Sequence, residues 1–199
     1  MSAFRDLMIA KAGKQKVFPR YGLVGTGTQW IDTLIKSNQD MVFECEFMFN
    51  NFPNEQHSFV FGQNSAPSYE YFASTGPHEY YAFGGINDSI QIPMTMQVGV
   101  IYNIIIQNGP RFRDGVQIGS RYVANYSSLH NMYLFTANNR NTSLRPALCT
   151  IFKFRASNPS GIIGDFIPVP QGSTFFSSTP APSNCMRKPL WGCVASVNV

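Results

Sequence analysis

The sequence contains few charged residues and no long apolar run. Lys, Arg, Asp and Glu make up only 13% of the 199 residues, and the scarcity of Lys and Glu disfavours solvent-exposed helices. No apolar segment approaches the ~18 residues that a membrane-spanning helix requires. The N-terminus, MSAFRDLMIAKAGKQK, lacks the apolar core and cleavage site of a secretory signal. These absences predict a protein that is made in a cytoplasm, does not enter a membrane and keeps its four cysteines mostly reduced.

Sequence motifs for catalysis, metal binding and phosphate binding are also missing. His57, His78 and His130 are isolated, with no Cys or second His at metal-ligand spacing. No GxSxG, P-loop or CxxC motif occurs. The loop GGIND at 84–88 could offer oxygen ligands to calcium, but a simple turn explains it better. We therefore predict no metal, no cofactor and no catalytic residue.

Positive charge is concentrated at the N-terminus. The formal net charge of the whole chain is +4, and residues 1–20 carry five basic side chains against Asp6, so the rest of the chain is neutral. A neutral body disfavours nucleic-acid binding. A basic arm suits an acidic partner surface or nucleic acid, and a solvated terminus is the other interpretation.

A short helix is predicted within this arm. SAFRDLMIAKAG can be capped by Ser2 and ended by Gly13, and its apolar residues fall on one face. A helix of this length is marginal alone in water and must pack on a partner. The candidate anchoring side chains of the arm are Phe4, Arg5, Leu7, Met8, Lys11, Lys14, Lys16 and Arg20.

Beyond residue 28 the sequence alternates as β-strands do. MVFECEFMF places Met41, Phe43, Cys45, Phe47 and Phe49 on one face, and FRDGVQIG is typical of a hairpin with a two-residue Asp-Gly turn. The strand candidates are 29–36, 41–49, 57–62, 68–74, 79–85, 89–94, 98–108, 111–120, 121–125, 131–137, 147–156 and 162–169. About a dozen short strands without βαβ alternation predict an all-β antiparallel β-sandwich.

One pair of carboxylates has a spacing used in glycoside hydrolases. Glu44 and Glu46 stand at alternate positions of one strand, where two carboxyl groups can flank a glycosidic bond. Jelly-roll glucanases carry a third acid at the sixth position of the segment, and Phe49 stands there instead. A half-solvated strand face explains both residues equally well, so hydrolysis is a weak third hypothesis.

Four tyrosines are candidates for contact with a glycan or a protein. Tyr69 and Tyr71 share one strand face, whereas Tyr80 and Tyr81 point to opposite faces, so one of that pair is expected to point outwards. Outward tyrosines stack on sugars and hydrogen-bond to hydroxyl groups, and they also serve protein–protein contacts. Protein contact is the favoured interpretation and sugar binding the alternative.

Segments at both ends of the strand region resemble a known family. GTGTQWIDTLIKSNQDMVFECEFMF is similar to the STGTQYIDTGI opening of concanavalin A-like (laminin-G-like) jelly-roll domains, MYLFTANNRN resembles their LYLFALN strand, and CTIFKFRASNPSGIIGDFIPVP resembles their IYSFKIYD…LVRDFIPVP ending. Such domains are widespread in phage virion and tail proteins and in surface proteins of gut bacteria. The resemblance covers residues 21–186 and implies a jelly-roll fold without catalytic residues. We expect Asp165 to cap a turn or to pair with a backbone N–H.

The C-terminus departs from the family pattern. After Met186 the chain reads RKPLWGCVASVNV, where family members continue into a closing strand. We therefore treat 187–199 as a divergent tail that contacts a neighbour, with Trp191 as a candidate anchor. Cys185 and Cys193 could pair under oxidising conditions.

These features favour a structural protein of a bacteriophage virion. On this hypothesis a non-enzymatic head-decoration, head-fibre or tail-associated protein binds other virion proteins through residues 1–20, and it self-associates as a trimer or another symmetric oligomer. The alternative is a carbohydrate-binding module that holds surface glycans, and the third hypothesis is the glycoside hydrolase.

Overall fold

The computed structural model describes residues 21–52, 58–65, 68–75, 78–84, 89–123 and 125–168. Within these ranges the chain forms fifteen β-strands and no helix, so the predicted all-β class is confirmed. The helix predicted within residues 1–20 and the tail at 187–199 lie outside the described residues.

The strands are numbered in chain order. They are β1 (Leu23–Val24), β2 (Ile31–Asn38), β3 (Val42–Phe49), β4 (Ser58–Ser65), β5 (Ser68–Thr75), β6 (His78–Ala82), β7 (Ser89–Pro93), β8 (Ile101–Gln107), β9 (Gly109–Arg113), β10 (Val116–Arg121), β11 (Ser127–Leu134), β12 (Ala137–Asn139), β13 (Thr142–Leu144), β14 (Cys149–Asn158) and β15 (Gly161–Phe166). The strand predicted at 121–125 is wrong, because β10 ends at Arg121. The side chain of Asn108 binds the N–H and the C=O of Val123, both at 2.8 Å, and takes the place of a strand partner.

The first sheet contains seven strands. Its order is β1-β14-β3-β8-β9-β10, and β15 also pairs with β14. All of its pairs are antiparallel. Because β3 borders β14 along residues 149–157, β1 and β15 share the other side of β14, with β1 beside its beginning and β15 beside its end.

The second sheet contains eight strands. Its main path is β13-β12-β4-β5-β6-β7, and β11 joins β4 to β2. Its pairs are antiparallel, apart from one parallel contact between Asn138 of β12 and Gln63 of β4. The two sheets pack as a sandwich around one main hydrophobic core, which confirms the predicted architecture.

The core follows from the alternation of apolar residues along each strand. In β3 the side chains of Phe43, Cys45, Phe47 and Phe49 are fully buried, as predicted, whereas those between them are only half-buried. The ring of Phe47 lies 5.3 Å from that of Phe72 in the other sheet, measured between centroids. Burying one such ring stabilises the fold by roughly 2–3 kcal/mol.

The predictions for two acidic residues, Asp114 and Asp165, have different outcomes. The predicted Asp-Gly hairpin is confirmed: Asp114 and Gly115 both have positive φ, 51° and 78°, as a type I′ turn requires, and Val116 pairs with Arg113. The prediction for Asp165 is wrong. Its partner is the guanidinium of Arg155 on the neighbouring strand, which donates to Oδ2 at 2.6 Å.

Candidate functional site

The outer side of the second sheet carries several aromatic side chains. Successive residues of a strand point to opposite sides, and Phe72 and Tyr81 belong to the core, so Tyr71 and Tyr80 point outwards. Gly62 pairs with Tyr71 on one side and with Tyr133 on the other, which places Tyr133 on the same surface. We call this surface the aromatic face, and its members are Trp30, Phe59, Tyr69, Tyr71, Tyr80 and Tyr133.

The centre of the aromatic face is a small apolar cluster. Phe59 and Ala73 are buried there, and the partly buried Tyr71 and Tyr80 pack against them. The rings of Phe59 and Tyr71 meet edge to face at 5.0 Å. Burial raises the pKa of the Tyr71 phenol, and the nearby phenols of Tyr80 and Tyr69 raise it further. Three of the four predicted tyrosines therefore lie together.

The fourth predicted tyrosine is a core residue, and its assignment to a contact surface is wrong. Tyr81 has none of its surface exposed, and its hydroxyl donates a 2.6 Å hydrogen bond to Oε2 of Glu79 inside the sandwich. Burial and the adjacent Glu79 carboxylate raise the pKa of Tyr81 far above its ordinary value. Of the Tyr80–Tyr81 pair, Tyr80 is the outward residue.

A stacked Trp–Tyr pair forms one end of the aromatic face and was not predicted. The ring of Trp30, 41% exposed, lies 4.3 Å from that of Tyr133 at an interplanar angle of 14°. Asp32 fixes the strand that follows Trp30: its carboxylate accepts hydrogen bonds from the Leu34 N–H (2.8 Å) and from Asn131 Nδ2 (3.1 Å). Leu34 has a φ of +60°, so Asp32 holds an irregular turn of the strand beside the stacked pair.

Gly62 is buried between Tyr71 and Tyr133, and strand β5 packs closely against it. Its φ is +148°, and a Cβ atom there would clash with the Cβ of Tyr71 and the backbone of Glu70. A glycine inside a strand often marks a place where another backbone approaches closely, and here that backbone is β5. The alternation of Tyr69 and Tyr71 already pointed to this surface in the sequence, and the glycine inside SFVFGQNS is a further signal of close packing between β4 and β5.

Polar side chains lie beside Tyr69 and Tyr80. Asn64 pairs with Tyr69 and Gln91 pairs with Tyr80 across the strands, and the His78 ring lies 6.2 Å from that of Tyr80. Flat rings beside amide groups can stack on a sugar ring and hydrogen-bond to its hydroxyl groups, and they can equally form the core of a protein interface.

The outer side of the first sheet is charged instead. Glu44 accepts hydrogen bonds from Lys153 Nζ (2.9 Å) and Asn103 Nδ2 (3.0 Å). Burial acts to raise the pKa of Glu44, but the hydrogen bonds from Lys153 and Asn103 outweigh it, and the pKa is lowered. The general acid of a glycosidase needs a raised pKa, so this geometry makes Glu44 a member of a surface ion pair rather than a proton donor.

The remaining predicted contact residues lie outside the described ranges. These are the anchoring side chains of residues 1–20 and Trp191, and the GGIND loop falls outside from position 85 onward. Among the residues that the structure does describe, no group of three His, Cys, Asp or Glu side chains could hold a metal ion. No helix in the same ranges is long and apolar enough to cross a membrane. The chain matches no protein-family model and no curated protein.

Proposed function

We propose that the protein is a non-enzymatic structural component of a bacteriophage virion, a jelly-roll β-sandwich attached to the particle through residues 1–20. The resemblance of GTGTQWIDT and GDFIPVP to phage jelly-roll domains supports this proposal. One geometric observation carries it further: the chain enters and leaves the sandwich at the same edge.

The two ends of the described chain meet beside the middle of β14. Leu23 pairs with Ile151 and Phe166 pairs with Phe154, so the two pairing positions are three residues apart along β14, a distance of about 10 Å. The segment that precedes Tyr21 and the segment that follows Pro168 therefore depart from neighbouring points. Such an arrangement lets both segments bind the same partner surface.

This edge also exposes apolar side chains. Tyr21 and Ile167 are 41% and 51% exposed, and Ile162 and Ile163 of β15 are exposed as well. We call these four residues the attachment edge. Exposed apolar groups at a sheet edge can serve as contacts in a protein interface. The attachment edge belongs to the first sheet, whereas Tyr69, Tyr71 and Tyr80 lie on the outer side of the second sheet, so we expect a partner bound at the attachment edge to leave these three tyrosines accessible.

Deletion of residues 1–20 tests the proposal directly. The truncated protein should keep the thermal unfolding transition of the sandwich and should be absent from purified particles by quantitative mass spectrometry. As a matched control, the double variant Tyr71→Ala/Tyr80→Ala should be incorporated at the wild-type level. Normal incorporation of the truncated protein would overturn the proposal.

The aromatic face favours a second candidate function, the binding of an uncharged glycan. Stacking on Trp30, Tyr71 and Tyr80 needs no charge on the ligand. Replacement of any one of these rings by alanine should weaken glycan binding about tenfold, since one aromatic contact contributes up to about 1.5 kcal/mol. Glu44→Gln, on the opposite side of the sandwich, is the control that should bind normally on a glycan array. Binding that survives all three ring substitutions would exclude the aromatic face as the site.

A further inference from the structure

Two glutamates point into the space between the sheets, and their surroundings differ. Glu79 of β6 and Glu70 of β5 are both fully buried. Both oxygens of Glu79 lie 2.7 Å from Nη1 of Arg113, and the Tyr81 hydroxyl and the Thr95 N–H also donate to it. Glu79 is thus a fully paired buried charge.

Glu70 is paired with neutral groups instead. Gln63 Nε2 donates to its Oε2 at 2.5 Å, and the hydroxyls of Ser37 and Tyr126 and the backbone of Gly84 also face the carboxyl. None of these described neighbours carries a positive charge. Glu70 Oε1, Ser37 Oγ and Tyr126 Oη are all buried, yet none of the three completes a hydrogen bond of good geometry.

We propose that Glu70 is a proton-operated latch that joins β5, β2 and the segment leading into β11. In the protonated form, Oε1–H can donate to the oxygen of Tyr126 or Ser37. The neutral carboxyl then forms a hydrogen bond that holds these elements together. In the ionised form, a charge without a cationic partner stays buried, and such a charge is strongly unfavourable in an apolar interior. Separation of the segment leading into β11 from β5 and β2 admits water to the ionised carboxylate.

The working range of the latch follows from the same surroundings. Burial raises the pKa of Glu70 to about 7, while the hydrogen bond from Gln63 and the nearby polar groups of Ser37, Tyr126 and the Gly84 backbone act in the opposite direction. Tyr126 is the titratable neighbour, and burial together with the Glu70 charge raises its pKa well above its ordinary value, so it stays protonated throughout. The latch therefore closes below neutral pH and opens above it.

The segment that opens is the one that carries Tyr126. Its ring packs edge to face on Phe83 at 5.4 Å, and its backbone carbonyl accepts a hydrogen bond from the Gln39 N–H at 3.3 Å. Release of the Tyr126 hydroxyl loosens this pairing, so the Gln39 amide reports the state of the latch.

Hydrogen exchange of the full-length protein, corrected for the intrinsic pH dependence of exchange, tests the proposal. From pH 5.5 to pH 8 the protection of the Gln39 amide should fall at least about tenfold in the wild type, since each unit of pKa shift is a tenfold change in the equilibrium. It should stay constant in Glu70→Gln, while Glu44→Gln should behave as the wild type. The same fall in Glu70→Gln would overturn the proposal.

A direct titration of the carboxyl keeps the proposal testable if Glu70→Gln does not fold. The ¹³C carboxyl resonance of Glu70 in the wild-type protein should titrate near neutral pH. A midpoint close to the ordinary value of 4.5 would rule the latch out, whatever the variant does.

Discussion

At the scale of single residues, Gly62 lets β4 and β5 pack closely beneath the aromatic face. Its φ of +148° is unfavourable for other residues, and an added methyl group would meet backbone and Cβ atoms that cannot move aside. We expect Gly62→Ala to lower the free energy of unfolding by about 3 kcal/mol, through strain and overpacking together. Urea denaturation measures the loss.

Gly99 provides the matched control for this substitution. It also has a positive φ, +80°, but open space surrounds the position of its missing Cβ. Gly99→Ala should therefore cost only the conformational strain, about 1 kcal/mol. Equal losses in the two variants would mean that close packing at Gly62 contributes nothing.

The buried carboxyl of Glu70 makes stability depend on pH. Its pKa in the folded protein, about 7, lies above the ordinary 4.5, so the native state holds a proton that the unfolded chain releases between these values. The contribution of Glu70 to stability is then fully present below pH 4.5 and is lost as the pH rises through about 7, a change of up to about 3 kcal/mol. Urea denaturation at pH 5 and pH 8 should show this fall in the wild type and a smaller one in Glu70→Gln. An equal loss of stability between pH 5 and pH 8 in both proteins would contradict this assignment.

At the scale of elements, the pair Glu79–Arg113 joins β6 of the second sheet to β9 of the first. Glu79 is fully buried and Arg113 is 22% exposed. Arg113→Met leaves an unpaired buried carboxylate and should destabilise the protein by about 3–5 kcal/mol, whereas the double variant Glu79→Gln/Arg113→Met should recover part of this loss. The measurement is a double-mutant cycle by chemical denaturation.

The partly exposed pair Glu44–Lys153 on the outer side of the first sheet serves as the comparison for this cycle. Both side chains are about a quarter exposed, at 26% and 23%, and water screens such pairs. Lys153→Met should cost less than about 1 kcal/mol. If it cost as much as Arg113→Met, burial would not be what makes the inter-sheet pair important.

The same elements show why the sequence predicts the strands better than the site. The alternation in MVFECEFMF identifies β3 and its buried face, because a strand with one face in the core imposes a period of two. In HEYYAF the alternation leaves the choice between Tyr80 and Tyr81 open. Tyr81 points inwards together with Glu79, which lies on the same side of β6. Glu79 can be buried because Arg113, which is remote in sequence, pairs with it in the folded sandwich. Trp30 and Tyr133 likewise meet only through the pairing of β2 with β11.

At the scale of the whole molecule, the attachment edge and the aromatic face belong to different sheets. The proposed attachment therefore makes a prediction about which surface is covered on the particle. In the free protein, Tyr21 and Ile167 are exposed at the edge, and Tyr80 is partly exposed on the aromatic face.

Hydroxyl-radical footprinting of free protein and assembled particles distinguishes the two. If the attachment edge binds the particle, Tyr21 and Ile167 should lose most of their reactivity on assembly, whereas Tyr69 and Tyr80 should keep theirs. The opposite pattern would make the aromatic face the protein interface and would remove the basis for glycan binding there, because a face buried in the particle cannot reach a glycan. Protection of both surfaces would indicate a sandwich held between two neighbours, with the arm as only one of its contacts.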